Sequence, residues 1–423
     1  MKADPAEYEA MAEMVDERIA IKTEPRLNQF SQEAEDRYKL TLPEMGIVLE
    51  VDRLRRESHE LIGELCVRCS LAGARTYDGA LSIADFNLSS ARARAERARL
   101  LATRSNAEGL DWAGFLEEFC QRVLAAERKG QPAVDLRTLE RPNPDDALRI
   151  EGLSLPRRHP SIIFGDGGAA KSYTALYLAG RLTEQGLAVA LFDWELAGED
   201  HRDRHERLFG PVMPKITYVR CEKPLVYEAD RLRRIVRDEQ IDYAVYDSVA
   251  FATDGPPEAA EQAGRYFRAV RQIGPGSLHI AHVTKGEEVE KPFGSVFWSN
   301  SARATYYAKL ADASPDGRTL ILGLFPKKAN LGQLPLPTGF KITFDRDRTH
   351  YSKVDPADTP DLAEKMTIRQ RMTRLLRGGA LPFEQLAEEA DADLESVRRT
   401  VRRHKRIFTV LDGGQVALLQ RNG

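Results

Sequence analysis

The residues with the clearest chemistry are Gly165, Asp166, Gly167, Gly168, Ala169, Ala170, Lys171, Ser172 and Tyr173, preceded by the apolar run Ser161-Ile-Ile-Phe. Glycines let a chain turn so that successive backbone N–H groups converge, and a helix starting at the lysine adds its positive dipole end. That combination cradles phosphate. These nine residues would surround ATP, with Lys171 reaching the β- and γ-phosphates and the Ser172 hydroxyl ligating Mg²⁺. The usual pattern is G-x-x-x-x-G-K-[ST]; Ala170 stands where the second glycine is expected. Its Cβ is expected to crowd the phosphate path, while Gly167 and Gly168 keep the turn pliable. The bland alternative is a glycine-rich turn between strand and helix with a lysine by chance.

Two further acids complete a hydrolytic set. Tyr243-Ala-Val-Tyr246-Asp247-Ser248 ends a buried strand in an aspartate, which suits a second Mg²⁺ ligand at the carboxyl edge of a sheet. Upstream, Leu191-Phe192-Asp193-Trp194-Glu195 ends the strand that follows the loop helix. A carboxylate there can orient and deprotonate an attacking water. Glu195 and Asp193 compete for that role.

A second set of residues is basic. The segment Ser396-Val-Arg398-Arg399-Thr-Val-Arg402-Arg403-His-Lys405-Arg406 stacks Arg398 over Arg402 and Arg399 over Arg403, with Val397 and Val401 facing inward. From Lys365 to Phe408 there are eleven bases and six acids, a net of +5. Such a helix suits contact with DNA phosphates and base edges; protein contact is the alternative. The helix expected over 91–104 carries Arg92, Arg94, Arg97, Arg99 and Arg104 against Glu96 alone, either as another phosphate-contacting face or as a solvated surface.

Elements must hold these groups in place. The 423 residues suggest two to three domains. Residues 1–41 read as an acidic helix and a poorly ordered tail, residues 42–136 as a small α+β domain. In 137–352, apolar runs at 161–164, 188–192, 216–219, 243–246, 278–283, 319–325 and 340–345 alternate with helical stretches. That predicts an α/β fold with a mostly parallel sheet. Residues 353–365 read as a linker. Residues 366–423 predict helices at 367–377, 382–390 and 394–406, then a hairpin about Asp412-Gly413-Gly414.

Whole-chain composition narrows the class. Lys plus Arg total 62 against 65 Asp plus Glu, so any polyanion site is a local patch. Four cysteines are too few for a disulfide framework, and no apolar run approaches 18 residues. A cytoplasmic protein without membrane segments is expected. Cys66-Val-Arg-Cys69 has metal-like spacing but no second pair, which argues against zinc.

Together these residues resemble the RecA-fold ATPases, and within them the hexameric replicative helicases of the plasmid RepA and DnaB kind. Asp247-Ser248-Val249-Ala250 looks like the Walker B ending of RecA proteins. In that group the water-activating glutamate ends the strand after the phosphate loop, which implies Glu195. Ala281-His282-Val283-Thr284-Lys285 is similar to the His-His-Thr-Ser-Lys strand end of RepA-like ATPases, implying His282 as a sensor of the γ-phosphate. A buried, satisfied histidine is the alternative. Phe293-Gly294-Ser295 through Ala302-Arg303 resembles the segment that follows. Residues 325–332 and 340–345 look like the Lys-x-Arg-Asn-Gly segment and last strand of DnaB-type helicases. There a lysine and an arginine reach the neighbouring subunit's γ-phosphate. The lysine position is Lys327 and the arginine-finger position holds Ala329, leaving Arg303 or Lys328 as stand-ins.

The three C-terminal helices and hairpin resemble a winged-helix domain. The resemblance implies a homo-oligomeric, hexameric ring with active sites between subunits. Single-stranded DNA would pass along the loops 250–260 and 284–297, with duplex DNA on the winged helix. The second loop has Lys285 and Lys291 but also Glu287, Glu288 and Glu290, a poor electrostatic cradle. The function implied is ATP-driven DNA unwinding or remodelling, in replication of a mobile element, or alternatively in repair or defence. A nucleotide-switched DNA-binding regulator that never translocates is the reading from a different class.

Overall fold

A computed structural model describes residues 28–34, 36–130, 133–140, 146–283, 291–293, 296–314, 316–330 and 334–419. The acidic N-terminal helix, residues 284–290 and 294–295 of the second loop, and Leu331 and Gly332 lie outside the described residues. The chain divides into two compact units, Met1–Glu140 and Arg141–Gly423.

The first unit is an antiparallel meander of β1 (Gln29–Ala34), β2 (Arg37–Leu42), β3 (Ile47–Glu57), β4 (Glu60–Cys69) and β5 (Ala80–Asn87), in that order across the sheet. Alternate residues face one side: Tyr38, Leu40 and Leu42, then Ile47, Leu49 and Val51, then Leu61, Leu65 and Val67 are all buried. They pack under α1 (Ala91–Ser105) and α2 (Trp112–Lys129), which bury Leu101, Trp112, Leu116, Phe119 and Val123. Ser90 and Asp111 cap the two helices through their side chains.

Residues 29–41, expected to precede this domain as a loose tail, form nearly all of its first two strands. The strand β1 is polar apart from Phe30, whose ring stacks on Tyr38 and meets the edge of Phe119. The arginines of α1 are also mostly engaged. Arg94 reaches the Leu88 carbonyl and Glu117, Arg97 the Ser82 hydroxyl and the Phe86 ring, and Arg104 the Leu81 carbonyl. They fasten the helix to β5, to Leu88 just after it and to α2, which leaves a phosphate-contacting face there only Arg92, paired with Glu96, and Arg99.

The second unit opens with a hairpin, β6 (Ala147–Ile150) and β7 (Leu153–Pro156), and continues as alternating strands and helices. In chain order these are β8 (Pro160–Gly165), α3 (Lys171–Glu184), β9 (Val189–Asp193), α4 (Gly198–Phe209), β10 (Ile216–Arg220), α5 (Leu225–Asp238), β11 (Tyr243–Asp247), α6 (Val249–Ala252), α7 (Ala260–Ile273), β12 (Gly276–His282), α8 (Val296–Ser301), β13 (Ala304–Ala313), β14 (Thr319–Ala329), β15 (Thr338–Phe344) and β16 (Thr349–Val354). The sheet order is β10-β9-β11-β12-β8-β13-β14-β15-β16. Its first six strands are parallel and the last three add antiparallel.

The mostly parallel α/β sheet is therefore present, with strands unforeseen in the sequence at β6, β7, β13 and β16. Both faces are covered. Ile162, Phe164, Phe192 and Tyr246 face one apolar cluster, while Ile163, Leu191, Tyr243, Val245 and Ile280 face the other. Burial on both sides explains why these strands read as unbroken apolar runs.

Residues 353–365 are not a free linker. A short turn at Pro356–Asp358 leads into α9 (Pro360–Ala363), and Leu362 and Met366 are buried in the first cluster. Arg374 then grips Asp355 and Asp358. The C-terminal bundle comprises α10 (Ile368–Leu375), β17 (Leu381–Pro382), α11 (Phe383–Glu389), α12 (Leu394–Arg403), β18 (Phe408–Val410) and β19 (Gln415–Leu418), with strand order β17-β19-β18. A Thr367–Gln370 capping box starts α10. Its core is Met372, Leu376, Leu386, Val397, Val401, Phe408 and Val416. Helix α12 ends at Arg403, three residues earlier than expected, so Lys405 and Arg406 lie in the turn before β18.

Candidate phosphate site at the sheet edge

Four parallel strands end side by side at one edge of the sheet. Gly165 of β8 lies opposite His282 of β12, and Asp247 of β11 lies opposite Asp193 of β9. The topology thus gathers residues spread over more than a hundred positions, at the edge where ligands of open α/β sheets bind.

The loop after β8 has specific backbone demands. A Cβ on Gly165 would meet the Ala308 carbonyl oxygen at 2.2 Å, so β13 lies too close for any side chain. Gly168 sits at φ +79°, and a Cβ at Gly167 or Gly168 would meet nothing within 4 Å. The first helical bond of α3 runs from the Thr174 N–H to the Ala170 carbonyl at 2.9 Å. The N–H groups just before it have no intrahelical acceptor and point out of the helix start, as a phosphate requires.

Ala170 itself is left-handed, at φ +50° and ψ 26°, which is the reason a glycine is usual there. Its methyl packs against the second apolar cluster. The cost of the alanine is therefore backbone strain and not the crowding expected from the sequence. Left-handed geometry costs a non-glycine residue roughly 1–2 kcal/mol, against about 0.5–1 kcal/mol of extra chain entropy for glycine. Ala170→Gly is expected to hold or raise stability by roughly 0.5 kcal/mol in a denaturant melt. At an ordinary helical position the same change costs about 1 kcal/mol, and a loss of that size would refute the strain.

Lys171 is buried, with Nζ 3.0 Å from the Gly165 carbonyl and 2.5 Å from that of Asp166. Burial lowers its pKa to about 8, against the pull of Asp166, Asp247 and Glu195. The Ser172 hydroxyl donates to Asp247 Oδ1 at 2.9 Å. Burial raises the Asp247 carboxyl, with Glu195 adding to it and the Ser172 bond opposing. A buried carboxylate beside a hydroxyl, with the buried Ser248 Oγ unpartnered among the described residues, is a hard oxygen set that suits Mg²⁺. His282 is half-buried, and burial together with Lys171 lowers its pKa while Glu195 opposes, so all three lie in one electrostatic neighbourhood.

The structure separates the two acids that competed upstream. Asp193 is fully buried and saturated: its carboxylate accepts the Glu195 and Leu196 N–H groups, the Tyr218 hydroxyl and Arg220, with His201 Nε2 at 3.4 Å. Glu195 is exposed beside the loop and acts on the charges of Lys171 and Asp247. Glu195 is thus the one with free lone pairs to meet a water.

Two expected members stand apart. The Tyr173 side chain turns to the far strands, with its hydroxyl 3.2 Å from Thr349 Oγ1, its ring edge on Phe344 and Arg204 stacked over it. Lys327 is exposed on β14, two strands from β8, with its ammonium 5.4 Å from the Tyr307 ring centre. Lys328, offered as a substitute finger, is committed: its ammonium bonds the Ser299, Asn300 and Ala302 carbonyls at the end of α8. Arg303 is exposed. The Ala308 carbonyl and the Tyr218, Arg220 and His201 side chains were not foreseen, because only strand pairing and the placement of α4 bring them here.

On α12, Arg402 pairs with Glu395 at 2.6 Å, and Arg398 lies over the Phe383 ring and 3.7 Å from Glu384. Arg399, Arg403, Lys405 and Arg406 are exposed.

No protein-family model matches the chain, and no curated protein matches it. Solved structures similar to it include an ATPase domain, at 12% identity and a TM-score of 0.37, covering 47% of this chain and 86% of that one. The flagellar accessory protein FlaH from Methanocaldococcus jannaschii shares 13% identity over 47% of this chain and 89% of its own, at a TM-score of 0.35. The KaiC-like protein PH0186 from Pyrococcus horikoshii OT3 shares 14% identity over 47% of this chain and 91% of its own, at a TM-score of 0.38.

Proposed function

We propose that this chain is a RecA-fold ATPase that acts on DNA, a motor resembling the RepA- and DnaB-type helicases. The observation that carries the reading is the meeting of Lys171, Ser172, Asp247 and Glu195 at one sheet edge beneath a loop with outward N–H groups. The loop N–H groups and Lys171 would bind the triphosphate and neutralise charge as the γ-phosphoryl leaves. Glu195 would hold the attacking water in line and accept its proton. His282 would report the γ-phosphate to β12. Ser172 and Asp247 would hold Mg²⁺, which would supply positive charge against the triphosphate. A homo-oligomeric ring, hexameric by resemblance, would complete the site with Lys327 from a neighbour. Single-stranded DNA would run along the loops after β11 and β12, and duplex would meet α12 in a winged-helix arrangement.

One observation favours the regulator instead. Ala329 offers no guanidinium and Lys328 is consumed at α8, so trans-activation rests on Lys327 or Arg303. Strand displacement from a forked duplex with ATP separates the two readings. Displacement, with turnover raised by single-stranded DNA, is expected. Slow, unstimulated turnover with sequence-selective duplex binding would replace the motor by the switch.

A further inference from the structure

We propose that Tyr218 and Arg220, at the end of edge strand β10, are positioning residues for Glu195 and act through the buried Asp193 carboxylate. This rests on the hydrolytic reading of the site. The Glu195 side chain is exposed and has no hydrogen-bond partner among the described residues, so its place is set through its backbone. That backbone is held at three points. Asp193 Oδ1 accepts the N–H groups of Glu195 at 3.0 Å and Leu196 at 3.1 Å. The Leu196 carbonyl accepts Arg220 Nη1 at 2.7 Å and the Tyr218 hydroxyl at 3.4 Å. The same two side chains hold the other carboxylate oxygen, at 3.2 Å and 3.0 Å.

Among the described residues, none of these hydrogen bonds ends on the phosphate loop. Burial and then Asp193 push the Tyr218 phenol up to about 12, so it remains a donor throughout the working range. Desolvation acts to raise the Asp193 carboxyl, yet His201 and the two N–H groups outweigh it and hold it below the usual range. Arg220 is an unexpected participant. Its side chain is 43% exposed, so it is under no pressure to be buried, yet it reaches inward to the turn. An arginine placed only for surface solvation would gain nothing from that direction.

The consequence is a turn whose geometry is decided on β10 while its chemistry is delivered at β8. A misplacement of about 1 Å at a reacting group costs on the order of a hundredfold in rate. In the 423-residue chain, Tyr218→Phe and Arg220→Gln are expected to lower kcat by roughly ten- to a hundredfold. KM for ATP and the affinity for a fluorescent ATP analogue should stay within about twofold, and Arg220→Lys should recover part of the loss. These variants leave Asp193 in place and so avoid emptying a buried site.

In a Glu195→Gln background the same changes should have no further effect, because the group they position is already disabled. Additive losses in that background, a change confined to KM, or unchanged kcat would each overturn the proposal. Absence of ATP turnover in the unmodified protein would instead remove the hydrolytic reading itself.

Discussion

Lys171→Ala is expected to abolish ATP turnover. The ammonium waits inside the loop on the carbonyls of Gly165 and Asp166, with its pKa lowered to about 8 by burial. An arriving triphosphate supplies the anion that burial denies it, and the charge then opposes the negative charge that builds as the phosphoryl group leaves. Loss of one preorganised donor of this kind lowers kcat by roughly 10²–10³-fold, and a full charge in a desolvated site by more. Stability should change little. The alanine removes a partly desolvated charge whose partners are two carbonyls, and such groups contribute little net stabilisation. Single-turnover phosphate release and a thermal melt of the same sample test both halves. Unchanged hydrolysis in this variant sinks the assignment of the loop as the nucleotide site.

The second large effect is expected on DNA affinity, and the structure divides four arginines into two unequal pairs. Arg399→Glu with Arg403→Glu should weaken duplex binding by at least an order of magnitude at physiological salt. It should also lower the slope of log affinity against log salt by roughly 2, at about 0.9 for each phosphate no longer neutralised. Arg398→Glu with Arg402→Glu should do less, because Arg402 is already drawn to Glu395 and Arg398 to Phe383 and Glu384. Reversing all four should nearly flatten the salt dependence contributed by this helix. Fluorescence anisotropy with a duplex over a salt series measures every one of these effects. Equal effects from the two pairs would deny the division, and an intact slope in the quadruple variant would place DNA elsewhere.

Signals carried by neighbours in sequence were legible. Strand, glycine turn, Lys-Ser and helix follow one another directly between residues 160 and 184, so no long-range information is needed to read them. Asp247 was legible because it terminates an apolar run. Glu195 against Asp193 was not, since residues two apart on an extended chain share a face. What separates them is the set of donors from β10 and α4 that saturates only one. Strand β13 escaped notice because Ala304-Thr-Tyr-Tyr-Ala-Lys mixes small, aromatic and charged residues, although it lies against β8. The engagement of Lys328 with α8 depends on β14 passing that helix, a fact of topology with no sequence signature. The residues 353–365 read as a linker on their prolines and aspartates, whereas Leu362 and Met366 decided their packing.

The strand that carries the phosphate loop has its two partners far downstream. β8 ends at Gly165, while β12 begins at Gly276 and β13 at Ala304. During synthesis the glycine-rich turn therefore waits for about 140 further residues before both of its edges are paired, which at roughly 5–20 residues per second is an interval of about 7 to 28 s. Until then Ile162, Ile163 and Phe164 form an apolar strand with at least one open hydrogen-bonding edge, a hazard for association with other chains. A nascent chain of this protein thus stays exposed longest at the strand that leads into the glycine-rich turn.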